Sequence, residues 1–281
     1  MTEEKTEKEE SPSGAIKQVI DSATALSKAV PIYEDAVQPF AQETGRALGT
    51  VGKAVNVALA PISLVVWGYD QIKEFLETKV TEKLENVPED RISTPPPHVA
   101  GPAVEALKFT GQEETLRDMF ANLIANSLDS KTVKDAHPSF VDIIKNLSPD
   151  EGLILKLFAA EQNLPLIDVR IVDLKKGNSY SVILRNHSEI GIIAKVTHPQ
   201  LTTNYLDNLC RLGILEIPSG SKLSNLQRYK ALKELPEVAL LSKQFESIDT
   251  HRIEFSEKYV QVTGMGRQFI NSCVVDKRTK A

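Results

Sequence analysis

Polar and apolar positions follow a helical period through most of this chain. After Tyr69, the residues Ile72, Phe75, Leu76, Val80 and Leu84 recur at helical spacing with charges between them, which predicts an amphipathic helix ending near Asn86–Pro88. Helix returns over Pro102–Lys108. Thr110 and Glu113 have the spacing of a capping box. The run after them carries Leu116, Met119, Phe120, Leu123, Ile124 and Leu128 on one stripe. A further helix bears Phe140, Ile143, Ile144 and Leu147. Ser148-Pro149-Asp150-Glu151 is a strong helix start, with an N-cap serine, proline at the first helical position and glutamate at the third. Leu153, Leu157 and Phe158 are then expected to face inward. Alternation with a period of two is confined to later residues. It predicts strands at Leu166–Leu174 and Tyr180–Leu184 around a hairpin turn at Lys175–Asn178. A helix over Thr203–Leu212 closes at Gly213, and a short strand follows at Ile214–Ile217. Leu223–Ile248 is helical with a break at Pro236. Arg252–Val262 is a strand, and Thr263 caps a last helix from Gly264 to Cys273, with Met265, Phe269 and Ile270 on one face.

The expected fold is mainly α with a smaller α+β part: N-terminal and central helices followed by a winged-helix-like C-terminal domain. Residues 1–13, dense in glutamate and lysine, are expected as a disordered acidic tail. An N-terminal helical region spans 14–92. Ser93-Thr-Pro-Pro-Pro97 opens a stiff connector, 93–101. Central helices take 102–147, and 148–281 is the α+β domain. The segments Tyr205–Leu215 and Val262–Phe269 resemble winged-helix domains, in which a helix leads through a glycine into a strand and a later strand enters a closing helix through a Thr-x-x-Gly turn. Gly213 is placed to take positive φ, and Gly264 and Gly266 to relieve crowding where strand meets helix.

One segment breaks the amphipathic pattern. From Leu48 to Trp67 the only charge is Lys53. Twenty residues match a bilayer core of about 30 Å, but Lys53, Asn56, Pro61 and the many small residues make this a poor span. A helix buried against other helices is the plainer reading. The segment is also the candidate for a partner or membrane contact, through Val57, Leu59, Ile62, Leu64, Val65 and Trp67.

Composition changes this picture little. The chain is 41% hydrophobic and 25% charged, with a net charge of −5, ordinary values for a globular protein. Residues 1–100 hold 10 basic and 16 acidic side chains, whereas residues 200–281 hold 12 and 9. Two cysteines, Cys210 and Cys273, suggest neither a disulfide framework nor a zinc site, so a reducing, cytoplasmic setting is expected, with peripheral attachment to an inner membrane as an option. The glutamate-rich start of the chain has neither the basic start nor the apolar run expected of a secretory signal.

Candidate chemistry is sparse. Asp168 upstream of Asp173-Leu-Lys175 has the order of acids and lysine found in metal-dependent nucleases, but the pattern is short and common. His187-Ser-Glu189 lacks the cysteines a zinc deaminase needs. No P-loop, kinase signature, Rossmann fingerprint or nucleophile elbow occurs. No catalytic residue, metal or cofactor is expected. A DNA-reading helix over 203–212 would offer Asn204, Asn208 and Arg211 beside Asp207, which is nearly balanced in charge.

Several stretches together resemble the Abi-alpha family, bacterial proteins named for abortive phage infection. They are Pro61-Ile-Ser-Leu-Val-Val-Trp-Gly-Tyr69, Asn86-Val-Pro88, Thr94-Pro-Pro-Pro-His-Val-Ala-Gly-Pro-Ala-Val-Glu-Ala-Leu107, His137-Pro-Ser-Phe140 and Leu147-Ser-Pro-Asp-Glu151. The resemblance spans roughly residues 45–275. It implies a phage-defence role and carries no catalytic residues with it. The resulting expectation is a non-enzymatic defence protein that acts through protein contacts, with a phage-encoded partner among the options, or at the membrane. A winged-helix DNA-binding regulator and a metal-dependent nuclease are the alternatives, and oligomeric state is open.

Overall fold

The computed structural model describes residues 67–177, 179–246 and 250–280. The apolar segment 48–67 therefore lies outside the described residues except for Trp67. The chain divides into two units, Met1–Asn146 with Val275–Ala281, and Leu147–Val274. The first is helical and the second is α+β, as expected of a mainly α chain with a smaller α+β part, and among the described residues strands occur only in the second.

In the first unit, α1 (Tyr69–Phe75) widens into a π-helical turn, Leu76–Val80, and continues as α2 (Thr81–Lys83). Ile72, Leu76, Val80 and Leu84 are buried as the period requires, while Phe75 is only half-buried. α3 (Pro97–Thr110) starts earlier than its pattern suggests, because Pro97 serves as a first helical residue that needs no N–H partner. Pro102 sits inside it, and its ring nitrogen cannot bond the preceding turn. Thr110 does not cap the next helix. It remains the last residue of α3, and its hydroxyl donates back to the Ala106 carbonyl at 2.9 Å. α4 (Glu114–Ser127) instead begins after Glu113, which makes no side-chain cap. The expected stripe of α4 is buried throughout and packs on α3 and the Leu76–Val80 turn. α5 (Ser139–Lys145) adds Phe140, Ile143 and Ile144 to this core.

Three separate pieces of chain meet at the C-terminal end of α4. Ile92 bridges Asp129, Ser93 N–H donates to the Leu128 carbonyl at 2.8 Å, and Ser130 N–H donates to the Arg91 carbonyl at 2.9 Å. The fully buried Asp129 carboxylate pairs with Arg91 and with Lys277, from the last turn of the chain, Lys277–Lys280. Asp276 reaches Lys83 at 3.2 Å, and Arg278 pairs with Glu82 and Asp276.

The second unit opens with α6 (Pro149–Ala160). Its capping box forms as the sequence requires: Ser148 Oγ accepts from Glu151 N–H at 3.2 Å, and Glu151 Oε2 accepts from Ser148 N–H at 2.6 Å. Ser148→Ala should cost about 1 kcal/mol, read as a lower urea midpoint at unchanged slope. Ile154, Leu155 and Phe158 fill the core, while Leu153 and Leu157 are half-buried. The sheet has the order β2-β1-β4-β3, all antiparallel, with β1 (Asn163–Asp173), β2 (Ser179–His187), β3 (Leu215–Glu216) and β4 (His251–Val262). β1 is covered on both faces. Ile167 and Val169 meet Tyr229, Leu232 and Val238 from α9 (Gln227–Lys233) and α10 (Pro236–Glu246). Leu164 and Leu166 on the alternate face are buried too. Between β2 and β3 lie α7 (Ile190–Ile193) and α8 (Thr202–Arg211). α8 ends at Gly213, which takes φ +73°. α11 (Gly264–Phe269) is capped by Thr263 and runs into a π-helical turn, Ile270–Val274. Phe269 and Ile270 are buried, but Met265 is 40% exposed, so the expected three-residue face holds only two.

Candidate functional site

The sequence candidates land in different places. Trp67 is half-buried in the first unit. Its N–H donates to the Lys108 carbonyl at 2.9 Å. Its ring meets Phe75 edge-on at 5.4 Å, and the Arg117 guanidinium stands 5.7 Å from the ring centroid. The ring also lies across Gly111, where a Cβ would come within 2.3 Å of it. Phe75, Arg117 and Gly111 therefore all engage this ring in packing. Val57, Leu59, Ile62, Leu64 and Val65 lie outside the described residues.

On α8, Asn204 is exposed. The Asn208 amide donates to Glu151 Oε1 at 2.6 Å, and its oxygen accepts from Arg211 at 2.7 and 3.0 Å. Asp207 faces Arg185 at 3.5 Å. Asn208 and Arg211 thus serve the junction of α8 with the start of α6.

The acids of the nuclease-like pattern do not converge. Asp168 and Asp173 are five positions apart on β1, so they point to opposite faces about 17 Å apart. Asp168 accepts from Asn186 N–H at 2.9 Å and pairs with Lys258 at 2.6 Å. Asp173 Oδ1 accepts from Lys175 and Lys176 N–H at 2.9 and 3.2 Å and closes the hairpin turn. Among the described residues, no group of three His, Cys, Asp or Glu side chains is arranged to hold a metal ion. Burial, with Asp207 and Glu216 nearby, pushes the Cys210 thiol up to about 11, so it stays protonated at neutral pH and is a poor nucleophile.

The structure brings forward a feature that the sequence pattern passed over, the loop from α7 to α8. Ile190 and Gly191 are buried, whereas Ile192 and Ile193 are 59% and 55% exposed, and Leu201 at the end of the loop is 40% exposed. The loop is braced from beneath by Asp150 of α6, itself only 6% exposed. Its carboxylate accepts from Thr197 N–H at 2.8 Å, His198 N–H at 3.1 Å and the Tyr205 hydroxyl at 2.8 Å. Burial works against charge on Asp150, but these donors outweigh it and hold the carboxyl below its usual range. Burial, followed by the Asp150 contact, pushes the Tyr205 phenol up to about 12. Gly191 fits tightly against the loop's return: a Cβ there would lie 2.1 Å from Thr202 Oγ1. The backbone is therefore fixed while two large aliphatic side chains stand in water. Preorganisation of this kind lowers the entropy cost of docking. The only sequence signal was the unalternating run Ile190–Ala194, which without burial information reads as core.

A family model described as abortive infection alpha matches residues 68–273. No curated protein matches the chain. Among solved structures, an uncharacterized protein from the hydrocarbon-degrading marine bacterium Alcanivorax borkumensis SK2 aligns at 15% identity, covering 44% of this chain and 83% of that one, with a TM-score of 0.30.

Proposed function

The chain belongs to the abortive infection alpha family, and on that premise we propose that it is a non-enzymatic phage-defence protein that acts by docking on another protein. The observation that carries this reading is α7 with the braced loop that follows it, which leaves Ile192 and Ile193 exposed on the helix and Leu201 exposed where the loop ends. Single exposed aliphatics are ordinary on protein surfaces, but adjacent ones on a rigid backbone are what a protein-contact site requires. Lys195, exposed on the same loop, favours a partner with an apolar pocket and an acidic rim.

The DNA-binding alternative has less support, because Asn208 and Arg211 spend donors on Glu151 and on each other. The nuclease alternative has less support too, because Asp168 is engaged by Asn186 and by Lys258 of β4, and Asp173 by the hairpin turn. As for a membrane, no helix among the described residues is long and apolar enough to cross one.

The test is phage challenge of cells carrying wild type or Ile192→Asp/Ile193→Asp. Both side chains point to water, so the variant should keep its melting temperature. Each lost contact should cost about 2 kcal/mol of partner binding, roughly thirtyfold in affinity, and protection should collapse. A photo-crosslinker at position 193 should trap protein during infection. The reading fails if the folded variant protects as wild type does, or if the crosslinker captures lipid alone.

A further inference from the structure

A cleft of about 220 Å³ opens in the first unit, lined by Lys83, Arg91, Lys131 and Lys277 around Asp129, with Val87 and Pro88 forming an apolar wall. We propose that it binds a small phosphate-bearing anion, independently of the α7–α8 loop and of the reading built on it.

The charge arithmetic carries the inference. Four cations and one carboxylate line the cleft, an excess of three positive charges on a chain whose net charge is −5. A carboxylate has about four acceptor positions, and all four of Asp129 are filled. Oδ1 accepts from Arg91 Nε at 3.0 Å and Lys131 N–H at 2.9 Å. Oδ2 accepts from Arg91 Nη2 at 2.5 Å and Lys277 Nζ at 2.8 Å. Asp129 has nothing left to offer the Lys131 ammonium, whose side chain is exposed at the cleft. Lys83 is matched outside the lining by Asp118 at 2.7 Å and Asp276 at 3.2 Å, and Asp276 is shared with Arg278. Counting those groups still leaves the cleft positive, with Lys131 the lining cation that no carboxylate among the described residues matches.

Like charges are also crowded here. Burial first, and then repulsion from Arg91 and Lys131 against the pull of Asp129, hold the Lys277 ammonium below its usual value. An anion placed between Lys131, Arg91 and Lys277 would relieve that repulsion. Holding the last turn of the chain in place needs Lys277 and Arg278 but makes no use of the Lys131 side chain.

Size restricts the occupant. The cleft is smaller than the roughly 300–1,000 Å³ of sites for drug-sized ligands, so it suits inorganic phosphate, pyrophosphate or one nucleoside monophosphate. Arginine and lysine together suit a tetrahedral dianion, the first as a fork and the second as a point charge. Val87 and Pro88 give an apolar body a place to rest.

Titration calorimetry on the full chain with inorganic phosphate, pyrophosphate and adenosine monophosphate tests the proposal, at ionic strength matched with sodium chloride. Saturable binding of at least one probe is expected, with affinity that falls as salt rises. Lys131→Glu should keep the melting temperature and lose binding at least about tenfold, whereas Lys145→Glu, at an exposed lysine outside the cleft, should bind as wild type. Tighter binding of adenosine monophosphate than of phosphate would assign the apolar wall to the base or sugar. The proposal is overturned if no probe binds saturably, or if Lys131→Glu binds as well as wild type.

Discussion

Asp129→Ala is expected to destabilise the first unit by about 3–5 kcal/mol, the loss found when one partner of a buried ion pair is removed. The carboxylate is fully buried, and Lys277 opposite it is 4% exposed. Without Asp129, a nearly buried ammonium keeps, among the described residues, Asn126 Oδ1 and Thr132 Oγ1 as acceptors, at 3.2 and 2.9 Å. Arg91 loses both of its side-chain bonds to the carboxylate as well. Since whole domains are stable by only about 5–15 kcal/mol, this single change should lower the urea midpoint severely. Asp129→Leu combined with Lys277→Met should be milder than Asp129→Ala, because the uncompensated charge goes with its partner. Equal losses in the single and double variants would show that the pair does not act as a pair.

The same group sets an acid limit. Burial raises the Asp129 carboxyl, but hydrogen bonds from Arg91 and Lys277 and from Lys131 N–H outweigh it, so the folded value lies below the ordinary 3.8. A depressed acid contributes stability that is present above the unfolded value and lost as pH falls through the folded one. The wild-type unit should therefore lose this contribution below about pH 4. Asp129→Asn should lack that part of the acid transition.

Gly266→Ala should destabilise the second unit by at least about 3 kcal/mol. A Cβ at this position would lie 2.0 Å from the Ile214 carbonyl oxygen, 3.0 Å from its carbon and 2.9 Å from Val262 Cγ1. The carbonyl cannot retreat cheaply. It accepts Thr263 N–H at 3.0 Å, and the next residue, Leu215, pairs with Val262 in the sheet. Shifting it would open β3 from β4 at the end where α11 begins. Gly264→Ala provides the contrast, since its Cβ would meet only Arg267 Nη2 at 3.8 Å. It should be neutral or stabilising by a few tenths of a kcal/mol through the unfolded chain. Thermal unfolding of the two variants side by side decides this, and equal melting temperatures would refute the close-approach argument.

Features governed by neighbours within a few residues were legible without coordinates. The capping box at Ser148 and Glu151, the left-handed Gly213 and the β1–β2 hairpin depend on bonds that span at most a short turn. The buried stripe of α4 follows from its period, because any helix with that face must cover it. The motif Gly264-Met-Gly266 already hinted at crowding. Only the fold showed that Gly266 is crowded and Gly264 is open, since the crowding atom belongs to Ile214, some fifty positions earlier. Thr110 and Glu113 misled for a related reason: the buried side chains of α3 carry the helix through Thr110, so the hydroxyl meant for the next helix bonds backwards. Asp150 read as one acid of a helix start, although its oxygens go to Thr197, His198 and Tyr205 and hold the loop that follows the exposed Ile192 and Ile193 of α7. Asp129, Arg91 and Lys277 carried no local signal at all, being brought together from three distant stretches. Backbone and capping preferences are written within a turn or two of chain, and sequence determines them alone. Which charges share a pocket, and which aliphatics remain in water, depends on contacts between residues far apart in the chain, and only the tertiary structure decides those.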